Sequence, residues 1–311
     1  MAGGSTSGSG VKTDVYHGVR RWLLLPSWLV LAIIVVAPLC IMLIYSFLTK
    51  EFRGGVEWKF SLDAYDQFFF NRGLFGDAPP SIEWTYIGIY GRSILQAFIA
   101  MIVSLLIGFP TAYFIATRAS RARATWVFLI TIPYWVNLLI RTVSMKFLLR
   151  DEGPLNAFLI WTGLIDDPLK IVNTNLAVQL GLFYSYLPFM VLPIYAAIEQ
   201  YDHRLSEAAA DLYADRWTTL RRVILPAVKP GVVAGCILVF IPSLGSFLAP
   251  DLLGGARNFM IGSLIEDQFK GQAGNWPFGA AASMILFSMV LLVLTVVARR
   301  QAKTAKAEES A

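Results

Sequence analysis

The most restrictive feature of this sequence is a set of five long stretches that contain no Asp, Glu, Lys or Arg. They are the 28 residues between Arg21 and Lys50, the 25 between Arg92 and Arg118, the 28 between Lys170 and Glu199, the 21 between Lys229 and Asp251, and the 28 between Lys270 and Arg299. About 20 apolar residues in a helix cross the hydrocarbon core of a membrane, so each stretch is long enough. A sixth stretch, from Ala124 to about Leu149, is apolar except for Arg141 and Lys146. The pattern predicts an all-α polytopic membrane protein with six transmembrane helices.

Six buried core helices in a soluble protein are the alternative explanation. Only 15% of the residues are charged, whereas soluble globular domains carry about 25%. So few charges leave too little polar surface to solvate a domain of this size, which argues against the soluble alternative.

Lysine and arginine are distributed unequally between the segments that connect the apolar stretches. If the N-terminus is cytoplasmic, the inner segments hold 15 of these residues and the outer segments hold 9. Because cytoplasmic loops carry an excess of Lys and Arg, both termini are predicted to lie inside. The outer segments also hold 13 acidic residues. These acidic residues either lie outside simply because Lys and Arg are placed inside, or they form an outer vestibule that favours cations.

The segment 199–230 is the only long inner loop, and it has the pattern of two short helices. A first apolar face contains Leu205, Ala208, Ala209 and Leu212, and a second contains Trp217, Leu220 and Ile224. Asp202 or Ser206 is placed to cap the first helix. Pro226 and Pro230 are expected to end the second helix. From spacing alone, these faces fit either a groove in a protein partner or the lipid headgroups of the membrane surface.

A motif within this loop resembles a known family. Glu207-Ala208-Ala209, followed by Ile224-Leu225-Pro226 and Pro230, resembles the E-A-A motif of bacterial ABC importer permeases. The resemblance implies that residues 199–230, called the coupling loop below, dock on a cytoplasmic ATPase and transmit its closure to the pore. The implied ATPase-coupling residues are Glu207, Ala208, Ala209, Tyr213, Ala214, Leu225 and Pro226.

Tyr213 departs from this motif, because the family usually has Gly at its position. A tight turn that needs a positive φ would be strained by a tyrosine. Either the turn differs here, or Tyr213 makes a contact of its own with the ATPase.

The resemblance extends over nearly the whole chain, from about Trp22 to Arg299. The segments Ile132–Asn137 with Arg141, Leu187–Met190 and Asn275–Ala280 are similar to the polyamine branch of these permeases. This similarity implies a type I ABC importer permease fold in the bacterial inner membrane, with spermidine or putrescine as the solute. It also implies a different second permease, two ATP-binding subunits and a periplasmic solute-binding protein. Relatives that carry other small solutes, such as opines, share much of the pattern, so another solute remains open.

The implied organisation has a transmembrane domain of the family at residues 89–299. A tail at 1–21, a first span at 22–48 and a periplasmic segment at 49–88 precede it, and a cytoplasmic tail at 300–311 follows. The remaining spans are expected at about 93–117, 126–149, 175–198, 231–250 and 278–298. No cofactor is expected on this chain, since ATP would be bound by the partner subunit.

Polar and aromatic residues near membrane depth are candidates for the solute pathway. They are Trp135, Tyr134, Asn137, Arg141, Asp251 and Tyr184. Arg141 is expected to pair with an acid such as Asp251 or Glu266, either in a polar cavity or as a purely structural ion pair. Trp135 can attract an ammonium group through its ring face or can simply pack in the core or against lipid. Asp251, expected at the outer mouth, is the strongest candidate to meet an amine.

An intramembrane enzyme and a passive channel are the alternatives from other functional classes. The only histidines are His17 and His203, both in cytoplasmic segments, and no H-E-x-x-H or G-x-S-x-G motif occurs. The chain also lacks a Walker A lysine loop. A channel would not need the coupling loop, so association with an ATPase distinguishes a permease from both alternatives.

Overall fold

The computed structural model describes residues 12–51, 55–71, 81–202, 204–255, 258–270 and 274–309. The chain forms two compact units, one of residues 1–67 with 271–311 and one of residues 68–270. Of the expected tail at 1–21, residues 1–11 lie outside the described residues, and the rest is helical from Lys12 onward.

The first unit is built on two long helices that pack against each other, α1 (Lys12–Tyr45) and α13 (Trp276–Glu309). A short antiparallel ribbon follows α1, with β1 (Leu48–Lys50) paired to β2 (Val56–Phe60). Stacked rings hold this region together, since the Phe47 ring lies 5.6 Å from that of Phe60 and the Tyr45 ring lies 6.5 Å from that of Trp276. Helix α2 (Asp63–Phe69) then leads into the second unit.

The second unit contains the remaining helices and one more ribbon. In chain order these are β3 (Phe70–Asn71), β4 (Ser81–Ile82), α3 (Trp84–Ala116), α4 (Ser120–Trp135), α5 (Leu138–Leu149), α6 (Pro154–Trp161), α7 (Asn175–Glu199), α8 (Arg204–Asp211), α9 (Arg216–Thr219), a π-helical turn (Leu220–Ile224), α10 (Leu225–Ala227), α11 (Lys229–Leu244), a second π-helical turn (Pro250–Gly254) and α12 (Ile261–Phe269).

The core of this unit is the contact between α3, α7 and α11. Small residues on α3 let the helices approach closely, as is common in membrane helix packing. They are Ala97, Ala100, Ser104, Gly108 and Ala112, all of them buried. At Gly231 on α11, a Cβ would lie 2.6 Å from the carbonyl oxygen of Pro193 on α7, so the two backbones nearly touch.

Four helical segments are long and apolar enough to cross a membrane, namely Pro26–Tyr45, Trp84–Ala116, Asn175–Glu199 and Trp276–Ala302. Two bent pairs raise the number to six if each pair is one span. One pair joins Ser120–Trp135 to Leu138–Trp161 at 92°, and the other joins Arg216–Ala227 to Lys229–Leu244 at 70°. The predicted helical polytopic fold is therefore confirmed, with two short β-ribbons added. The stretch expected as a span at 126–149 is two helices that meet at a sharp break.

Candidate functional site

The coupling loop folds as two short helices joined by a tight turn. The Asp202 carboxylate accepts a hydrogen bond from the Arg204 N–H at 3.0 Å, at the start of α8. Ser206, the other candidate cap, instead lies 2.8 Å from the Tyr201 hydroxyl. The start of the loop is thus tied to the end of α7 through side chains that are close in sequence.

The turn after α8 has a tyrosine in the left-handed backbone conformation. Tyr213 has φ of 58°, its N–H donates to the carbonyl of Ala210, and the Ala214 N–H donates to the carbonyl of Ala209 at 3.0 Å. This pair of bonds is the Schellman arrangement that usually ends a helix with Gly. The turn therefore keeps the geometry that Gly would give, and Tyr213 adopts it in spite of its side chain.

Two large side chains project from the turn into the surroundings. The Tyr213 side chain is 98% exposed and that of Leu212 is 82% exposed. Glu207 and Ala208 on α8 are also exposed, as are Leu225 and Pro226 at α10. Ala209 is buried and Ala214 is half-buried, so these two residues face the rest of the protein. The predicted coupling residues thus divide into an outward set and an inward pair.

Asp215 starts α9. Its carboxylate accepts hydrogen bonds from the Thr218 hydroxyl and from the backbone N–H of Trp217. The bond from the Thr218 hydroxyl lowers the pKa of Asp215, and backbone N–H groups of Trp217 and Thr218 act in the same direction. The cap is therefore charged at neutral pH, where it satisfies N–H groups that the short helix leaves unpaired.

Arg141 lies in the first turn of α5, next to the break between α4 and α5, and only 5% of the residue is exposed. Its guanidinium donates hydrogen bonds to three backbone carbonyls, those of Tyr134 at 3.1 Å, Val136 at 2.8 Å and Ser185 at 3.3 Å. The guanidinium carbon also lies 5.5 Å from the centre of the Tyr134 ring.

The expected pairing of Arg141 with Asp251 or Glu266 is therefore wrong. Carbonyls at the end of a helix have no partner within it, and the break exposes two of them within reach of the guanidinium. Asp251 and Glu266 instead have Lys270 as their partner, with its Nζ 3.7 Å and 2.7 Å from their respective carboxylate oxygens.

The other pathway candidates near the break have distinct surroundings. The amide oxygen of the Asn137 side chain accepts a hydrogen bond from the Leu139 N–H at 2.8 Å and so caps α5. The Tyr134 ring packs edge-on against Phe189 of α7 at 5.0 Å. The Trp135 side chain is 80% exposed and has no hydrogen-bond or ring partner within the described ranges. Tyr184 lies partly exposed on α7.

Sequence analysis missed Lys270 as the partner of Asp251 and Glu266, and these three residues are called the outer acidic cluster below. Glu266 and Lys270 are four residues apart, a spacing at which side chains of a helix meet, and this spacing could have revealed the pair. The hydrogen bond to Glu266 raises the pKa of Lys270, and the nearby charges of Asp251 and Asp267 add to the effect. Asp251 follows α11 and Glu266 belongs to α12, so the ammonium of Lys270 connects two elements.

The chain matches a known protein family and several curated relatives. The family model for the binding-protein-dependent transport system inner membrane component matches residues 85–303. The spermidine/putrescine transport system permease protein PotB of Escherichia coli (strain K12) is 39% identical over 270 residues, which covers 87% of this chain and 92% of that protein. PotB of Haemophilus influenzae is 38% identical, with 87% and 89% covered.

Solved structures agree at the level of the fold. A chain of a bacterial alginate ABC transporter, in complex with an alginate pentasaccharide-bound periplasmic protein, has a TM-score of 0.65 at 18% identity, with 93% of this chain and 96% of that chain covered. A chain of the MetNI methionine ABC transporter has a TM-score of 0.52 at 20% identity, with 70% and 94% covered. This chain therefore belongs to the family of inner-membrane components of binding-protein-dependent transport systems: it is a multi-pass permease subunit of an ABC importer, which works with the ATPase, binding protein and partner permease of such an assembly.

Proposed function

We propose that this permease moves a polyamine such as spermidine or putrescine from the periplasm to the cytoplasm, driven by ATP hydrolysis on a separate subunit. The observation that carries the proposal is the 39% identity to a spermidine/putrescine permease over 92% of that protein's length. The match extends over nearly the whole of both chains, so it is not limited to the coupling motif that all importer permeases share.

The outer acidic cluster supports a cationic solute. Lys270 has a primary ammonium group held between the carboxylates of Asp251 and Glu266, and a polyamine carries the same chemical group at each end. In the proposed mechanism a solute ammonium exchanges with Lys270, and Asp251 makes the first contact.

Aromatic residues at the α4–α5 break supply the next contacts in the proposed pathway. Trp135 offers an exposed ring face, and Tyr184 offers a partly exposed ring on α7. A ring face attracts an ammonium group by about 0.5–2 kcal/mol, depending on its desolvation. Tyr134 and Asn137 shape the break, and Arg141 contacts backbone there rather than the solute.

The coupling loop is the proposed contact with the ATPase. The exposed residues of this loop that would meet the ATPase are Glu207, Ala208, Tyr213, Leu225 and Pro226. Ala209 and Ala214 hold α8 against the permease. The proposed assembly contains a second, different permease, two ATPase subunits and a periplasmic solute-binding protein.

ATPase stimulation in the reconstituted transporter tests the solute. With the partner binding protein present, spermidine or putrescine should stimulate hydrolysis, and a neutral sugar or an anionic solute should not. Stimulation by a non-cationic solute alone would refute the polyamine assignment.

Asp251→Asn tests the entry contact, because it keeps the shape of the side chain and removes its charge. The polyamine concentration for half-maximal stimulation should rise about tenfold, the effect of weakening one partly exposed charge contact. Asp267→Asn is the matched control, since this exposed carboxylate is not within ion-pair distance of Lys270. Equal effects of the two variants would show that only the overall charge matters.

Glu207→Lys tests the coupling role. The variant should insert in the membrane normally but lose association with the ATPase and ATP-dependent uptake, because it reverses a charge on the exposed side of α8. Arg121→Gln, at the exposed start of α4, is the control for a change of surface charge. Normal uptake by Glu207→Lys would exclude this face as the ATPase contact.

A further inference from the structure

Two residues lie in the break between α4 and α5: Val136, which is extended, and Asn137, with φ of −52° and ψ of 138°. Neither belongs to a helix, so the carbonyls at the end of α4 need donors from elsewhere. Backbone that leaves a helix at membrane depth must have its polar groups satisfied by the protein or by a water-filled cavity. The conformation of the break therefore depends on whatever side chain supplies those donors.

Arg141 supplies them. It lies one turn into α5, and side chains on a helix point back toward its N-terminus, which brings the guanidinium to the break. Its NH2 group binds the carbonyls of Tyr134 and Val136, the residues on either side of Trp135. A positive charge at the C-terminal end of α4 is also favourable for the helix dipole.

The same guanidinium attaches the break to α7. Its NH1 group donates to the Ser185 carbonyl, which lies within α7. The Tyr134 ring packs between this guanidinium and Phe189 of the same helix. The backbone on both sides of Trp135 is thus fixed by Arg141, while the Trp135 side chain stays exposed.

We propose that Arg141 is a positioning residue that fixes the α4–α5 break so that Trp135 projects its ring into the solute pathway. The contribution of Trp135 to solute affinity rests on the proposed function above. The positioning itself is a property of this chain and is testable without a solute.

Arg141→Lys is the informative variant, because it keeps the positive charge. A lysine has no planar fork of donors, so it cannot bind the carbonyls of α4 and α7 together. Thr142→Val is the matched control, since Thr142 is equally buried and its hydroxyl bonds only to Leu138 of its own helix. Phe189→Leu disturbs the break from α7 and leaves Arg141 in place, so it serves if Arg141→Lys does not assemble.

The first measurement is the rate at which a cysteine at position 135 reacts with a water-soluble maleimide. It uses Trp135→Cys in the assembled transporter, with Cys40 and Cys236 replaced. Labelling should slow when Arg141→Lys is added, slow less with Phe189→Leu and remain unchanged with Thr142→Val. The proposal would be overturned if Arg141→Lys left the labelling rate unchanged. It would also be overturned if Thr142→Val slowed labelling as much as Arg141→Lys does.

The second measurement is solute affinity in a double-mutant cycle. Trp135→Ala and Arg141→Lys should each raise the half-maximal polyamine concentration by up to about tenfold, the effect of one cation–π contact. The double variant should be no weaker than Trp135→Ala, because both changes remove the same contact. If the increases in half-maximal polyamine concentration multiplied in the double variant, Arg141 would not act through Trp135. A wild-type transporter that ignores polyamines would instead refute the proposed solute, and the labelling result would still decide the positioning.

Discussion

At the scale of single residues, Tyr213 combines a left-handed backbone conformation with an almost fully exposed aromatic side chain. Left-handed geometry costs a non-glycine residue about 1–2 kcal/mol, and an exposed ring regains nothing from packing within this chain. Strained residues persist where function requires them. The combination fits a residue kept for a contact outside the chain, which in the proposed assembly is the ATPase.

Two substitutions separate the strain from the ring. Tyr213→Gly should stabilise the turn, seen as slower amide hydrogen exchange at its Schellman bonds, and yet weaken association with the ATPase. Tyr213→Ala loses the ring and keeps the strain, so it should weaken association without stabilising the turn. Full association of both variants would show that the ring makes no contact there.

At the scale of elements, short helices depend on their caps and long helices on close backbone contact. Helix α9 has only four residues, and the Asp215 carboxylate satisfies its first N–H groups. Helices α7 and α11 pack through Gly231, where a Cβ would strike the Pro193 carbonyl. These two contacts hold the coupling loop and the span that follows it.

Asp215→Ala should destabilise the start of α9 and speed amide exchange there, whereas Asp215→Ser, which can still cap, should not. Because the folded-state pKa of Asp215 is lowered from its ordinary 3.8, the cap contributes stability above that ordinary value and loses it as pH falls through the lowered pKa. Amide exchange at Trp217 and Thr218, corrected for its intrinsic pH dependence, should thus show constant protection from about pH 5 to 8. A loss of protection near pH 5 would contradict the lowered pKa.

Gly231→Ala should lower the stability of the permease by about 1–3 kcal/mol, because the added methyl group overpacks the contact between α7 and α11. Gly91→Ala is the matched control in α3, since nothing lies within 4 Å of the added methyl group. This control should be neutral or slightly stabilising, because Ala favours a helix over Gly. Thermal unfolding of the two purified variants provides the comparison, and equal midpoints would mean that α11 can move away from α7 at no cost.

At the scale of the whole molecule, the distribution of charges sets the orientation of the chain in the membrane. Trp161 at the end of α6 and Tyr213 in the coupling loop are both exposed, and the excess of inner Lys and Arg assigns them to opposite sides. With Cys40 replaced, Trp161→Cys should react with an impermeant maleimide from the periplasm. Tyr213→Cys should react only after the inner membrane is permeabilised. The reverse pattern would invert the topology.

The fold class and the family of this protein followed from its sequence and are confirmed, whereas the orientation stays a prediction from the same sequence. Charge-free stretches and the Lys/Arg bias are local properties of the chain, so membrane insertion follows from them before any helix meets another. The E-A-A motif is also contiguous, and it sufficed to identify an importer permease.

Which polar groups satisfy one another depended on how the helices pack. Arg141 binds carbonyls rather than acids because α4 ends at Trp135 and because α7 passes beside that end. Ala209 faces inward although its apolar spacing also allowed an outward position. A buried polar group takes whichever partners the packed helices bring within reach, and this depends on where each helix breaks. Sequence therefore identified Arg141 as an unusual residue, and the contact between α4, α5 and α7 defined what it holds in place.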